Sequence, residues 1–112
     1  MPTLIYFDLY GRAEPMRMLL THAQVQFEDK RISQEEFVQM KESGALPSGQ
    51  VPLWEDNGRQ VNQTAAILRL LGKQHGYYSM DPMEGYNADW AVDTLADAFG
   101  PALIGVLFKP GD

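Results

Sequence analysis

The stretch Thr3-Leu4-Ile5-Tyr6-Phe7-Asp8-Leu9-Tyr10-Gly11-Arg12-Ala13-Glu14-Pro15 decides the fold. Its first five residues are β-branched, apolar and aromatic, and Asp8 to Gly11 closes them, which reads as a short buried strand and a turn. From Arg12 the period changes. Met16, Leu19, Leu20 and Ala23 fall at i, i+3, i+4 and i+7, and Pro15 sits in a first helical turn, where its missing N–H is harmless. A helix therefore follows the strand, and the two phenols, the glycine and the arginine lie at their junction.

Outward from this junction, Val25 and Phe27 alternate with polar neighbours, which predicts a second strand from Val25 to Arg31. Joined to the first through a helix, it should run parallel with a right-handed crossover. Ser33-Gln34-Glu35-Glu36 has a capping-box pattern that opens a short helix with Phe37, Met40 and Lys41, and Gly44 to Gly49 reads as loop. Val51 to Trp54, Asn57-Gly58 and Arg59 to Val61 form a hairpin signal, because Asn-Gly suits the positive-φ positions of a type I′ turn. Asn62-Gln63-Thr64 precedes the helix-forming run Ala65 to Leu71, which should end near Gly72 or Gly76. The order βαβ, short helix, ββα predicts an α/β domain with one mixed four-stranded sheet.

Beyond a Tyr77-Tyr78-Ser79-Met80 connector, Asp81 and Pro82 suit an N-cap and first helical residue. The helix they open carries Tyr86, Trp90, Leu95 and Phe99, then Leu103, Ile104, Leu107 and Phe108 after Pro101. That is more apolar surface than one small sheet can cover, so further chain or a second subunit is expected against it.

The 112 residues contain no cysteine, nine basic and fifteen acidic residues, and a net charge of -6. The first count excludes disulfides and protein thiol chemistry, so any sulfur chemistry must come from a ligand. The charge, with no Lys/Arg cluster, argues against nucleic acid. No run approaches the roughly 20 apolar residues of a membrane span, and Met1-Pro2-Thr3 begins no secretory or organellar leader, which leads us to expect a soluble, cytoplasmic protein. His22 and His75 lack partners at ligand spacing, so no metal site is expected.

The ordered set Tyr6-Phe7, Gly11-Arg12-Ala13-Glu14, Arg17, Gly49-Gln50-Val51-Pro52 and Asn62-Gln63-Thr64 resembles the glutathione-binding domain of cytosolic glutathione transferases. It is most similar to the sigma class, with its prostaglandin D synthases, invertebrate transferases and S-crystallins. The resemblance implies a thioredoxin-like domain over residues 1–76, a linker over 77–81, and the first, partial helix of an all-helical domain over 82–112. It also implies a homodimer, glutathione as co-substrate with no prosthetic group, and a small electrophilic or hydrophobic second substrate.

Glutathione offers two carboxylates, an ammonium, peptide groups and a thiol whose pKa of about 8.5 to 9 leaves little thiolate at neutral pH. Lowering that pKa by about two units needs roughly 2.7 kcal/mol of preference for the anion. A hydroxyl donor in a positive field can supply it. The resemblance gives this duty to Tyr6 and a supporting one to Arg12; judged on the two residues alone, a core strand aromatic and an arginine paired with a surface acid is the better reading. It assigns the peptide groups of glutathione to Val51, for which a cis Val51-Pro52 bond would be compatible and an edge-strand proline is the alternative. Gln63 and Thr64, at a helix N-terminus, are implied to hold the γ-glutamyl carboxylate, although Asn62 or Thr64 could simply cap that helix.

Several positions depart from the sigma pattern. Phe37 stands where a tryptophan is common, Lys41 matches the usual lysine, Gln50 replaces a frequent lysine, and Thr64 replaces the commoner serine. The Glu42–Ser48 loop is slightly longer. Hydrogen bonding survives but one positive charge near the glycine carboxylate is lost, which predicts weaker glutathione binding. Asp97 matches an acidic residue that reaches the neighbouring subunit's glutathione, or else is a solvated helix acid; Ala96 before it argues against a divalent-metal effect and prostaglandin synthesis. Three functions follow: a glutathione transferase, a non-catalytic or crystallin-like glutathione-binding relative, and a thioredoxin-like redox protein. The absence of cysteine counts against the third.

Overall fold

In the computed structural model, which describes residues 1–98, the opening strand is β1 (Thr3–Phe7). A single 3-10 turn over Gly11–Ala13 leads into α1 (Glu14–His22). Next come β2 (Glu28–Ile32), α2 (Gln34–Glu42), β3 (Leu53–Asp56), β4 (Arg59–Asn62), α3 (Thr64–Gln74) and α4 (Pro82–Ala98). The strands form one sheet in the order β2-β1-β3-β4. β1 pairs parallel with β2 and antiparallel with β3, and β3 pairs antiparallel with β4. This mixed sheet with flanking helices is the thioredoxin-like arrangement expected from the element order.

Period-two alternation along β1 sends neighbouring side chains into two different cores. Leu4 and Tyr6 join Met16, Leu20, Trp54, Ile67, Leu68 and Leu71 beneath α1 and α3. Ile5 joins Ile32, Leu46 and Leu53 on the opposite face, where Phe37 and Met40 of α2 pack. The α1 periodicity is visible in the burial of Met16 and Leu20, with Leu19 half-buried against the same cluster.

The expected second strand, Val25 to Arg31, starts three residues too early and ends one too soon. Gln24 takes φ +58, and the Val25 N–H donates to the Leu20 carbonyl while the Gln24 N–H donates to Thr21. That pair of bonds is a Schellman motif, so Val25 completes the end of α1 and cannot enter the ladder. The same closure ends α2 at Gly44, where the Ala45 N–H reaches Met40. It ends α3 at Gly76 rather than Gly72, through Tyr77 N–H to the Gly72 carbonyl. The third strand also begins late, at Leu53, after a cis Val51-Pro52 bond.

The remaining local signals take the expected forms. Ser33 and Glu36 make both bonds of the capping box, at 3.1 and 3.2 Å. Asn57 and Gly58 turn the β3–β4 hairpin with φ of +51° and +77°. Asp81 caps α4 by accepting from the Glu84 N–H at 3.0 Å.

α4 meets α3 through charge as well as apolar packing. Arg69 donates to Asp89 at 2.8 Å and Asp93 at 2.6 Å, while the Tyr78 hydroxyl donates to Asp89 at 2.8 Å. Val92 and Leu95 pack toward the first core, whereas Met83, Tyr86 and Trp90 are exposed. The apolar residues of α4 thus do occupy more than one side; Phe99, Leu103, Ile104, Leu107 and Phe108 lie outside the described residues.

Candidate functional site

Of the two phenols at the strand–helix junction, one is buried and one is not. Tyr6, inward-facing at its place in β1, is 6% exposed, whereas Tyr10, at the outside of the turn, is 75% exposed. The turn folds back over the Tyr6 ring, and the Arg12 N–H donates to the Tyr6 hydroxyl at 3.1 Å. Gly11 makes that approach feasible. Its φ is +44°, and a Cβ there would sit 2.4 Å from the Tyr6 hydroxyl oxygen and 2.6 Å from Leu9 Cδ1. Only a residue without a side chain fits both the backbone and the space.

Arg17 holds the turn from beneath. It is 6% exposed, and its Nη1 donates to the carbonyls of Leu9 at 2.8 Å and Tyr10 at 3.4 Å. Nη2 reaches the Phe7 carbonyl at 3.4 Å. Nε pairs with Asp29 at 3.1 Å and Nη1 with Glu14 at 3.1 Å. The guanidinium carbon lies 5.8 Å from the Tyr6 ring centroid. Asp29 also pairs with Arg31, which in turn binds Asp8 at 2.8 Å. The Arg31 hydrogen bonds to Asp8 and Asp29 raise its guanidinium pKa above the ordinary arginine value.

Two clefts meet at Arg12. One, of about 330 Å³, is walled by Tyr6, Phe7, Arg12, Gln34, Phe37, Gln50 and Val51. The other, of about 170 Å³, is walled by Arg12, Pro15, Gln63, Thr64, Ala65, Leu68, Val92 and Leu95. The first brings together Tyr6, Arg12, Phe37, Gln50 and Val51 from four separate parts of the chain. The second adds Gln63 and Thr64. Pro52 is buried behind Val51. Lys41 lines neither cleft but lies beside a wall residue, with Nζ 6.0 Å from the Phe37 ring centroid and its Cε near Gly49. Asp97, exposed near the end of α4, lines neither cleft.

The second cleft ends on the N-terminus of α3. Its N-cap is Gln63, which makes no side-chain capping bond, so neither Asn62 nor Thr64 occupies that capping position. Gln63 adopts φ +75° and ψ +116°, a conformation that costs a non-glycine residue about 1–3 kcal/mol. The strain sits where helix-end N–H groups and their positive partial charge face a cavity, an arrangement that suits a carboxylate.

Sequence reasoning named Arg17 within a motif without giving it a role and did not consider Gln34. Arg17 carries a signal that could have been used: it lies beside Met16 and Leu20 on the buried side of α1, where a charge survives only if paired. Gln34 had only its place after the Ser33 cap.

Comparison with known proteins gives the family. Residues 2–73 match the family model described as glutathione S-transferase, N-terminal domain. The chain belongs to the glutathione S-transferase family. Glutathione S-transferase 3 of Caenorhabditis elegans is 43% identical over 94 residues, covering 84% of this chain and 44% of the relative. An S-crystallin of Nototodarus sloanii is 40% identical, covering 87% of this chain and 47% of the relative, in line with a sigma-like member. Among solved structures, a monomeric glutathione S-transferase of the hookworm Necator americanus superposes with a TM-score of 0.85. The two are 32% identical over 99% of this chain and 55% of that one. The chain spans about half the length of the curated relatives it matches. Among the described residues, no helix is long and apolar enough to cross a membrane.

Proposed function

We propose that this chain binds glutathione across the two clefts that meet at Arg12 and, with Tyr6, activates its thiol for conjugation to small electrophiles. The Tyr6 hydroxyl carries the reading. It accepts the Arg12 N–H, and its own proton has no acceptor among the described residues. An amide donating into a phenol oxygen polarises the O–H and makes it a better donor. The acceptor in this reading is the glutathione sulfur, whose proton leaves to solvent. The thiolate then forms the S–C bond as the electrophile's leaving group departs.

The remaining assignments follow from the chemistry of the walls. Val51 offers backbone groups to the peptide part of glutathione, with Pro52 behind it; Gln63 and Thr64 take the γ-glutamyl carboxylate at the α3 N-terminus. Phe37, Lys41 and Gln50 receive the glycine end. α4 opens a helical domain over residues 82–112, joined by a linker at 77–81 to a glutathione-binding domain at 1–76. In this reading that domain floors the electrophile pocket, and Asp97 faces a second subunit in a cytoplasmic, detoxifying homodimer.

Its likeness to an S-crystallin favours a second reading, a relative that binds glutathione without conjugating it. Retention on immobilised glutathione, run beside conjugation of a generic aryl halide, separates the two. Retention with turnover, reduced far more by Tyr6→Phe than by Tyr10→Phe, supports the transferase. Retention without turnover supports the binding protein, and equal effects of the two substitutions refute the choice of Tyr6.

A further inference from the structure

We propose that Arg17, keyed by Asp29, is the positioning residue that fixes the Tyr6 hydroxyl and the turn above it; the proposal rests on the reading of Tyr6 as the thiol activator. Arg17 itself lines neither cleft, so it acts through other groups, Tyr6 among them. Its guanidinium spans three carbonyls of the turn, those of Phe7, Leu9 and Tyr10. Those carbonyls flank the segment that carries Gly11 and the Arg12 N–H onto the Tyr6 oxygen.

Burying an arginine for stability alone is a poor bargain, because the desolvation of the charge rivals what the ion pairs return. What a guanidinium provides and an aliphatic side chain cannot is a rigid fork of five donors with fixed directions. Here the fork is itself aimed by its pairs with Asp29, from β2, and Glu14, from α1. Arg31 holds the other oxygen of Asp29 and also grips Asp8 of the turn. The turn is therefore tied to the sheet edge from two sides, with Asp29 shared between them. A lysine at position 17 would keep the charge but reach fewer of these acceptors in one geometry.

The test uses the 112-residue chain with Arg17→Lys and Asp29→Asn, read in two ways. Amide hydrogen exchange at Arg12 reports the bond to Tyr6, with the core amides of β1 and α3 as reference. The thiolate absorbance of bound glutathione against pH reports thiol activation. Arg17→Lys should speed Arg12 exchange about tenfold with core amides changing less than about twofold. It should raise the bound thiol pKa by about one unit, tenfold less thiolate at a given pH, while glutathione affinity changes by less than about threefold. A fall in melting temperature with Arg12 exchange and thiol pKa both unchanged would overturn the proposal. Asp29→Asn should act in the same direction and decides the matter if Arg17→Lys fails to fold. If Tyr6→Phe leaves the bound thiol pKa where it was, the glutathione reading fails instead, and Arg12 exchange alone decides whether Arg17 positions the turn.

Discussion

Gly11→Ala isolates the close approach on which the site depends. Two effects add. The φ of +44° costs a β-carbon about 1 kcal/mol net, once the lower unfolded-state entropy of alanine is counted. The new Cβ would also lie 2.4 Å from the Tyr6 oxygen, where ordinary contact begins near 3.4 Å. Tyr6 or the turn must therefore yield by about 1 Å, and overpacking of that kind costs about 1–3 kcal/mol. Together these give a destabilisation of about 2–4 kcal/mol. Gly58→Ala is the control, since Gly58 has φ +77° and open space around its position; it should lose only the backbone part, about 1 kcal/mol. Urea unfolding of the two variants yields the difference directly. In glutathione binding, a 1 Å shift at Tyr6 should cost thiol activation up to about a hundredfold. Equal urea midpoints for Gly11→Ala and Gly58→Ala would refute the packing argument.

Two other expectations concern the cleft rim and α4. Gln50→Lys restores a positive charge at an exposed wall of the larger cleft and should tighten glutathione by a few-fold, consistent with about 0.2–1 kcal/mol for an exposed pair; calorimetry showing no gain or a loss would remove Gln50 from the glycine end. The attachment of α4 should depend on pH at both limits. Hydrogen bonds from Arg69 and Tyr78 hold Asp89 below its usual 3.8, so its contribution is present above about pH 4 and is lost as pH falls through that lowered value. The same carboxylate holds the Tyr78 hydroxyl above 10.0, so that contribution is present below about pH 10 and is lost above it. Asp89→Asn should flatten the acid limb of the urea midpoint against pH, and an unchanged limb would show that the cluster does not couple to folding.

The parts of the fold that local chemistry dictates were legible in the sequence. The Ser33 capping box, the Asn57-Gly58 hairpin and the change of period after Gly11 each name one conformation, and together they order the sheet. β2 was misplaced because Val25 and Phe27 alternate like a strand, while a helix end claims the Val25 N–H. Nothing in a single alternating pattern separates those uses. The candidate site was legible as a set of residues, through resemblance, but not as a geometry. That Gly11 yields to the Tyr6 oxygen, and that Arg17 spans the carbonyls of the turn, depends on side chains meeting across the junction. Sequence spacing does not encode such meetings. The positive φ of Gln63 was likewise invisible, because glutamine gives no sign of strained backbone.

The central claim is that the Tyr6 hydroxyl donates to the sulfur of bound glutathione. The apparent thiol pKa of glutathione bound to the wild-type chain and to Tyr6→Phe tests it most directly. The claim predicts a wild-type value about two units below that of the free thiol, returning to within about half a unit of it in Tyr6→Phe while binding persists. The same bound thiol pKa in both proteins would contradict it.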